Sequence, residues 1–344
     1  MKKLIYFTLG LAVMLASCSD DDDDSKWVTP PSEGATMTLH GGPGEGNAIY
    51  SVYVDFSANK QDTLKRSSWN LAFNCGSDFG VFLNSTTIGR AKEATGIDIA
   101  DVISEETLQP YATALAMTMG EANSSMDIVD SFDKSISGTV IKEGKTYIYR
   151  NENATLPYYK VKVTKKDNNT YSISYALWNS SEVKTADVKK DSKYNIIGFS
   201  LTDAKTVIVE KEKGEWDIIW GRNTYESSMV VGQPSAMADI VFINNKNGVK
   251  AVQILEEDIA YADYSESDIT TTTLLSDIGV IGANWRSVGG GGTAKPVAYQ
   301  DRYYVIRDVA GNIYKLKFMA IGGGTDGATR GYPQLKFELV KEAQ

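Results

Sequence analysis

The sequence is poor in the residues that most metal sites, disulfides and catalytic triads require. Of its 344 residues, two are cysteine and one is histidine. So few ligands cannot complete a zinc site, and a Ser–His–Asp triad would have to use His40, which precedes the glycine-rich segment 41–47. The 44 acidic residues include no motif that marks a pair of catalytic carboxylates. We therefore predict that the protein is not an enzyme.

Long apolar runs are confined to the beginning of the chain. Two lysines precede an apolar stretch over residues 4–15, which is too short for a transmembrane helix and typical of an export signal. The stretch leads into Leu-Ala-Ser-Cys at residues 15–18, which resembles a bacterial lipobox. The resemblance implies a signal peptide over residues 1–17 and acylation of Cys18, and two or more acyl chains anchor a protein stably. The alternative is a plain signal peptide that contains a cysteine.

Positive charge is also scarce, because 35 lysines and arginines face 44 acidic residues, for a net charge of −9. This acidic balance argues against nucleic acid or anionic lipid as the ligand. Five consecutive aspartates, Asp20–Asp24, form a block that stays solvated. The block resembles the acidic stretch that directs Bacteroidota lipoproteins to the outer face of the outer membrane. We predict a flexible acidic tether over residues 18–39.

What the chain has in abundance is short runs of valine, isoleucine, tyrosine, phenylalanine and threonine, separated by glycine, asparagine and aspartate. These runs predict a mainly β, or all-β, fold with few short helices. In segment 302–318, two alternating runs flank Gly311-Asn312, which predicts a hairpin turn. The best helical pattern covers residues 107–122. If Cys18 carries lipid, Cys75 has no disulfide partner and is expected to pack as a small apolar residue.

The same landmarks occur twice along the chain. Trp69 and Trp216 each follow an apolar strand and a short polar stretch. Arg150 and Arg307 each close an aromatic strand, and each is followed by a turn and a strand of the type "YKVKV" or "IYKLKF". Four landmarks that agree in order, spacing and residue type indicate an internal repeat.

We therefore predict two tandem β domains. The first covers residues 40–182 and is the more divergent, the second covers residues 188–344, and segment 180–193 joins them.

The Trp-Asp-Ile sequence at residues 216–218 and the terminal segments 302–318 and 331–340 resemble the HmuY family of Bacteroidota outer-membrane lipoproteins. The first copy is similar more loosely, through segments 67–74 and 146–163. The resemblance implies an all-β fold and a protein that captures haem at the cell surface. It also implies that the haem is passed to a TonB-dependent outer-membrane receptor.

Members of that family hold the haem iron between two axial side chains, histidine in the founding type and methionine in several relatives. The only histidine here, His40, corresponds to no ligand position, and the place of the second ligand falls near Gly290, within segment 287–296. Glycine offers no donor atom. The resemblance therefore excludes ligation by two histidines of one chain.

Methionine is the remaining axial ligand that the resemblance implies, since haem iron also accepts a thioether. Met117, Met119 and Met126 lie between the tryptophan motif and the arginine strand of the first copy, in a stretch bounded by glycine, asparagine and serine. We name these three as candidate axial ligands. The competing interpretation is that they fill the core, as methionine often does.

Three functions remain open from the sequence. The first is a surface lipoprotein that binds haem or a related tetrapyrrole, not by two histidines. The second is a binding module for a glycan or a protein on the same scaffold. The third is a structural stalk or adhesin element. The 19 tyrosines suit either of the first two, because aromatic rings stack on porphyrins and on sugars.

Overall fold

Antiparallel strands dominate the computed structural model, which describes residues 30–115, 127–128, 141–151, 156–225, 235–289, 295–324 and 326–344. The strands are β1 (Gly34–Thr38), β2 (Tyr50–Asp55), β3 (Lys60–Lys65), β4 (Leu71–Asn74), β5 (Val81–Leu83), β6 (Arg90–Glu93), β7 (Asp127–Ile128), β8 (Thr146–Arg150), β9 (Tyr159–Asp167), β10 (Thr170–Leu177), β11 (Lys184–Lys189), β12 (Ile196–Ser200), β13 (Lys205–Val207), β14 (Ile218–Tyr225), β15 (Ser235–Ile243), β16 (Lys250–Leu255), β17 (Arg286–Ser287), β18 (Val297–Ala298), β19 (Arg302–Arg307), β20 (Ile313–Ala320) and β21 (Gln334–Lys341). The mainly β class predicted from the sequence is confirmed.

Helices are few among the described residues. The one α-helix there is α1 (Glu105–Leu115), and the 3₁₀ turns are Glu45–Asn47, Arg66–Ser68, Ser85–Thr87, Asn245–Asn247 and Glu266–Thr271. The helix predicted over 107–122 is therefore confirmed in its first part, and residues 116–122 lie outside the described residues. A search of the described residues found no helix with the length and apolarity that crossing a membrane requires. The predicted signal peptide, Cys18 and Asp20–Asp24 also lie outside the described residues.

Two large sheets have similar strand orders. Large sheet 1 runs β11-β10-β9-β8-β6-β7, and large sheet 2 runs β1-β21-β20-β19-β16. In both, the last strands of a predicted copy form a meander of neighbours in the chain. The turn predicted at Gly311-Asn312 does connect β19 to β20, and Gly311 has a φ of +99°, which suits glycine.

Two smaller sheets combine strands from both halves of the chain. Small sheet 1 runs β13-β12-β4-β5, and small sheet 2 runs β15-β14-β2-β3. A core cluster containing Phe73 and Tyr147 joins small sheet 1 to large sheet 1. A second cluster, with Trp220 and Phe337, joins small sheet 2 to large sheet 2. The other faces of the small sheets meet each other through Leu64, so the layers stack as large, small, small, large.

The predicted division into two domains is not confirmed. Pro31–Gln344 form one contact unit of the chain, and Met1–Pro30 form the other. Strand β12 pairs with β4, and β14 pairs with β2, so each small sheet needs strands from both 40–182 and 188–344. The joining segment 180–193 contains β11, which extends large sheet 1. The origin of the two halves by duplication stays a prediction.

The repeated tryptophans occupy matching surroundings. Trp69 and Trp216 are both buried. The Asn84 side chain donates a hydrogen bond to the carbonyl of Trp69 at 2.8 Å, and that of Asn244 donates to the carbonyl of Trp216 at 2.9 Å. Each asparagine follows the partner strand of its hairpin, so the motif seen in the sequence marks the same local structure twice.

The repeated Tyr-Lys pattern also has a structural explanation. Lys160 and Lys315 are buried, unlike most lysines. Lys315 Nζ donates to the carbonyl oxygens of Tyr261 and Tyr264 at 2.9 and 3.3 Å, and Lys160 Nζ donates to that of Ser180 at 2.8 Å. These bonds hold loops against the outer faces of the large sheets and satisfy a charge that would otherwise be costly to bury.

The predicted flexible tether is wrong in its last part. Residues 34–38 form β1, which pairs antiparallel with β21 along its whole length. Met37 and Leu39 are buried. The reason is that alternation from Gly34 onward places apolar side chains on the core face of large sheet 2. Without β1, strand β21 would be the edge of that sheet and its backbone groups would be unpaired.

Gly41 lies against the most buried tryptophan of small sheet 2, and we predict that enlarging it is costly. A Cβ at Gly41 would lie 2.2 Å from the Trp220 ring, so Gly41→Ala should lower the free energy of unfolding by about 1–3 kcal/mol through overpacking. Denaturant unfolding measures this. Gly214→Ala is the control, because no atom lies within 4 Å of a Cβ there. Equal stability of the two variants would contradict the predicted close packing.

Candidate functional site

The predicted axial ligands cannot be located in the described part of the chain. Met117, Met119 and Met126 lie in segment 116–126, outside the described residues. The helix that leads into this segment is described. Its start is capped by Ser104, whose Oγ accepts a hydrogen bond from the Thr107 amide at 3.1 Å.

A groove of about 770 Å³ runs along the exposed face of α1. The groove is shallow and widely open to solvent, unlike the concave sites that bury most of a small ligand. Its charged side chains are Lys92, Glu105 and Glu106. Two carboxylates against one ammonium make this a poor receptor for an anionic ligand, since the net charge of the lining is negative.

His40 lies apart from α1 and the groove. It is exposed, its ring centroid lies 6.3 Å from that of Tyr332, and its backbone amide donates to Gln61. The described residues contain no group of three histidine, cysteine, aspartate or glutamate side chains placed to hold a metal ion. Cys75 is a free, half-buried thiol that packs against the core of large sheet 1, as its apolar role predicts.

A second arrangement, which the sequence did not reveal, lies where glycine-rich segments meet the middle of β15. We call it the glycine-rich end. It consists of segments 41–48, 285–289, 321–324 and 326–332, together with residues 238–239. The Gly41 amide donates to the Gly331 carbonyl at 3.0 Å. Glycine lets these backbones approach closely: a Cβ at Gly46 would lie 3.0 Å from Nη2 of Arg330.

A β-bulge places Asp239 in this region. The pairing of β14 with β15 shifts between Gly221 and Asn223, so that Ala238 and Asp239 together face one residue of β14. Asp239 has a φ of +53°, which is uncommon for a residue other than glycine. Its carbonyl accepts a hydrogen bond from Trp285 Nε1 at 2.9 Å. The bulge thus directs a carboxylate into the protein at a fixed position.

Two arginines surround this carboxylate. Arg330 donates from Nη2 to Asp239 Oδ2, and Arg286 donates from Nη2 to the carbonyl of Ala238. The Asp239 side chain is fully buried, and that of Arg330 is 12% exposed. Burial raises the pKa of Asp239 to about 6, although the charges of Arg330 and Arg286 act in the opposite direction. Asp239 is therefore ionised at neutral pH, and the group carries a net charge of +1.

Hydrogen-bonding capacity remains unused in this group. Among the described residues, Arg286 Nε, Arg330 Nη1 and Asp239 Oδ1 have no partner, although all three atoms are buried. Buried polar atoms are nearly always hydrogen-bonded, and a missing partner costs about 1–3 kcal/mol. Two unused N–H donors on cationic side chains are suited to an anionic ligand. The groove beside α1, whose lining has a negative net charge, is not.

No strong signal in the sequence announced this group. Asp239 and Arg330 are 91 residues apart in the chain. Glycine runs such as those near Arg286 and Arg330 are typical of loops and do not by themselves indicate a binding site. An arginine held within glycine-rich sequence is the one feature that could have been noted, because glycine allows backbone and ligand to approach a side chain closely.

Comparison with known proteins decides the family. The family model described as HmuY protein matches residues 49–337. The chain belongs to the HmuY family. The match confirms the resemblance noted in the sequence, and it runs as one stretch through both predicted copies, so it does not separate two HmuY-like units. No curated protein and no solved structure matched the chain.

Membership of the HmuY family indicates the general class of protein. The family binds ligands, is not enzymatic, is associated with haem and usually consists of surface lipoproteins. The glycine-rich end includes segment 285–289, next to the place of Gly290 where the resemblance put a family ligand position. Gly290 itself lies outside the described residues.

Proposed function

We propose that this HmuY-family protein is an outer-membrane lipoprotein, anchored through Cys18 and exposed at the cell surface, that binds haem or a related tetrapyrrole and passes it to a TonB-dependent receptor. The observation that carries the proposal is the family match over residues 49–337. The export signal, the lipobox and the acidic residues 20–24 support the location. The net charge of −9 supports a ligand other than nucleic acid.

The proposed ligation uses methionine. A chain with one histidine cannot supply two histidine ligands, so Met117, Met119 and Met126 are the candidates. They follow α1 within 11 residues of its end at Leu115. When bound, the iron would accept a thioether, which favours the ferrous state.

The first test is a haemin titration of the purified full-length protein in detergent, followed by absorbance in the oxidised and reduced states. Saturation at one or two equivalents, with sharp low-spin bands on reduction, would support haem capture through methionine. Haemin association that stays weak and non-saturating would contradict the proposed function.

We predict that one of Met117→Ala, Met119→Ala and Met126→Ala removes the low-spin ferrous spectrum and weakens haemin binding by at least about tenfold. The physical reason is the loss of an axial donor to iron. Absorbance of the reduced complex measures it, and circular dichroism checks that the variant is folded. Met319→Ala is the control, because Met319 is an exposed methionine on β20. Unchanged spectra in all three variants would contradict methionine ligation at these positions.

The alternative function is a surface module for a glycan or protein ligand. The observation that favours it is the single, exposed His40, which leaves the founding type of ligation impossible. A glycan array probed with the same protein distinguishes the two proposals. A reproducible hit, together with no saturable haemin binding, would replace the haem proposal.

A further inference from the structure

The glycine-rich end contains two cations that share one buried anion. Arg330 is paired with Asp239, whereas within the described part of the chain Arg286 donates to the backbone carbonyl of Ala238. In a chain with a net charge of −9, a buried group with a net charge of +1 is unusual. The charge of such a group is normally balanced by a partner. Among the described residues, Asp239 is the only carboxylate that forms an ion pair with either arginine.

The unused donors define the chemistry of the missing partner. Arg286 Nε and Arg330 Nη1 are N–H groups on planar, permanently charged guanidinium groups. Guanidinium groups bind carboxylates through two parallel hydrogen bonds, and such charge-assisted bonds are stronger than neutral ones. Asp239 holds Arg330 in place through Oδ2, and the Ala238 carbonyl holds Arg286. Both donors are thus positioned before a ligand arrives, which reduces the entropy cost of binding.

Glycines pack closely around the Arg330 side chain. Gly46 and Gly323 both lie beside its side chain, with Cβ positions 3.0 Å from Nη2 and 3.6 Å from Cβ of Arg330. Gly322 has a φ of +85° and lies so close to Thr329 that a side chain is impossible there. The close contacts, and the positive φ of Gly322 and Gly323, account for glycine at these positions.

We propose that Arg286 and Arg330 form a receptor site for a carboxylate group of the ligand, with Asp239 as the residue that positions Arg330. The inference rests on the proposed function, because haem carries two propionate carboxylates that suit this site. It adds to that function a second point of recognition, separate from any bond to iron.

The test compares haemin with haemin dimethyl ester, in which both carboxylates are blocked and the iron is unchanged. Both are titrated into the full-length protein in detergent. We expect the ester to bind at least about tenfold more weakly, because it loses a charge-assisted hydrogen-bonded pair. This comparison needs no variant and is independent of folding effects.

The variants Arg286→Gln and Arg286→Lys then test whether Arg286 causes the preference for haemin over its dimethyl ester. We expect both variants to bind the ester as the wild type does, and to lose most of the preference for haemin. Arg286→Lys keeps the charge but not the planar pair of donors, so it remains informative if the glutamine variant does not fold. Arg302→Gln is the matched control, since Arg302 is an arginine paired with the exposed Asp301 outside the group, and it should keep the full preference.

The outcomes separate the two proposals. Saturable binding of both compounds with equal affinity overturns the carboxylate site and leaves the haem function standing. A preference for haemin that survives in both Arg286 variants places carboxylate recognition elsewhere and also overturns the site. Failure of both compounds to bind overturns the haem function, and this inference with it.

Discussion

Replacing Arg330 by glutamine is expected to lower the free energy of unfolding by about 3–5 kcal/mol, because it leaves a buried carboxylate without its partner. The Asp239 side chain has no exposed surface, and that of Arg330 is 12% exposed, so solvent cannot replace the lost interaction. Asp239→Asn is expected to cost a similar amount, since it leaves the guanidinium groups uncompensated. Asparagine accepts the positive φ of this position, so backbone strain does not explain the loss.

The double variant Arg330→Gln with Asp239→Asn identifies the cause. We expect it to lose clearly less stability than the sum of the two single variants, because it removes both charges of the Asp239–Arg330 pair and leaves only that of Arg286. Lys193→Gln serves as the control, since it breaks the ion pair with Glu212 on an exposed surface and should change little. Additive losses in denaturant unfolding would show that the two residues act separately, which would contradict the ion pair.

Asp217→Asn is expected to be less stable than the wild type at acid pH and more stable than the wild type at mildly basic pH. Asp217 is fully buried and lies immediately before β14 of small sheet 2. Its Oδ2 accepts the Phe56 amide at 2.7 Å, and its Oδ1 accepts the Val309 amide at 2.8 Å. Burial raises the pKa of Asp217 to about 8, against the lowering effect of these two bonds, and the charges of Asp308 and Asp55 raise it further.

The direction in which stability changes with pH follows from the linkage of proton binding to folding. Below the unfolded pKa of 3.8, Asp217 is protonated in both states and its full contribution to stability is present. As the pH rises, the unfolded carboxyl ionises first and the folded one only near pH 8. Stability is therefore lost across that window, by about 1.4 kcal/mol for each pH unit.

The Asp217→Asn variant lacks this titration, but at every pH it loses one hydrogen bond to a backbone amide. An amide offers one acceptor and one donor group, so one of the two backbone amides at Asp217 would face another donor, at a cost of about 1–3 kcal/mol. We expect the variant to be the less stable protein near pH 4 and the more stable one near pH 8. In the matching position of the other half, Asn70 is suitable, because its amide donates to the Tyr149 hydroxyl while its oxygen accepts the Leu201 amide.

Denaturant unfolding at several pH values from about 2 to 8 measures this difference and includes the acid range in which the control titrates. Asp62→Asn is the control with the opposite sign: burial raises the pKa of Asp62, but hydrogen bonds and charges from Lys211 and Lys60 outweigh it and lower the pKa. The contribution of Asp62 is present above its unfolded pKa and is lost on acidification. Parallel stability curves for the wild type and Asp217→Asn would show that Asp217 is ionised when folded, contrary to our expectation.

Local properties of the sequence predicted much of the secondary structure. The strands around Tyr50, Leu71, Tyr159 and Leu335 were visible as alternating apolar residues, and the Gly311-Asn312 turn was visible from its residue types. These features depend on a few neighbouring residues and their steric preferences. The motifs that indicated HmuY are of the same local kind, and the family match confirmed them.

Strand pairing between the halves could not be predicted in this way. Strand β12 pairs with β13 of its own copy along one edge, yet its other edge pairs with β4 of the first copy, and β2 likewise pairs with β14. A strand pattern specifies which face is buried but not which partner covers the edge. For the same reason β1 was assigned to a tether, since only the presence of β21 beside it makes it a strand.

By itself, the sequence determined the β class, the hairpin turns, the HmuY membership and the lack of a second histidine ligand, because each depends on composition or on residues close together in the chain. The tertiary structure alone decided the exchange of strands between the halves and the convergence of Arg286, Asp239 and Arg330. The left-handed backbone of Asp239 and its pairing across 91 residues leave no local pattern. Burial then gives these charges their strength, because a charge interacts strongly only where water is excluded.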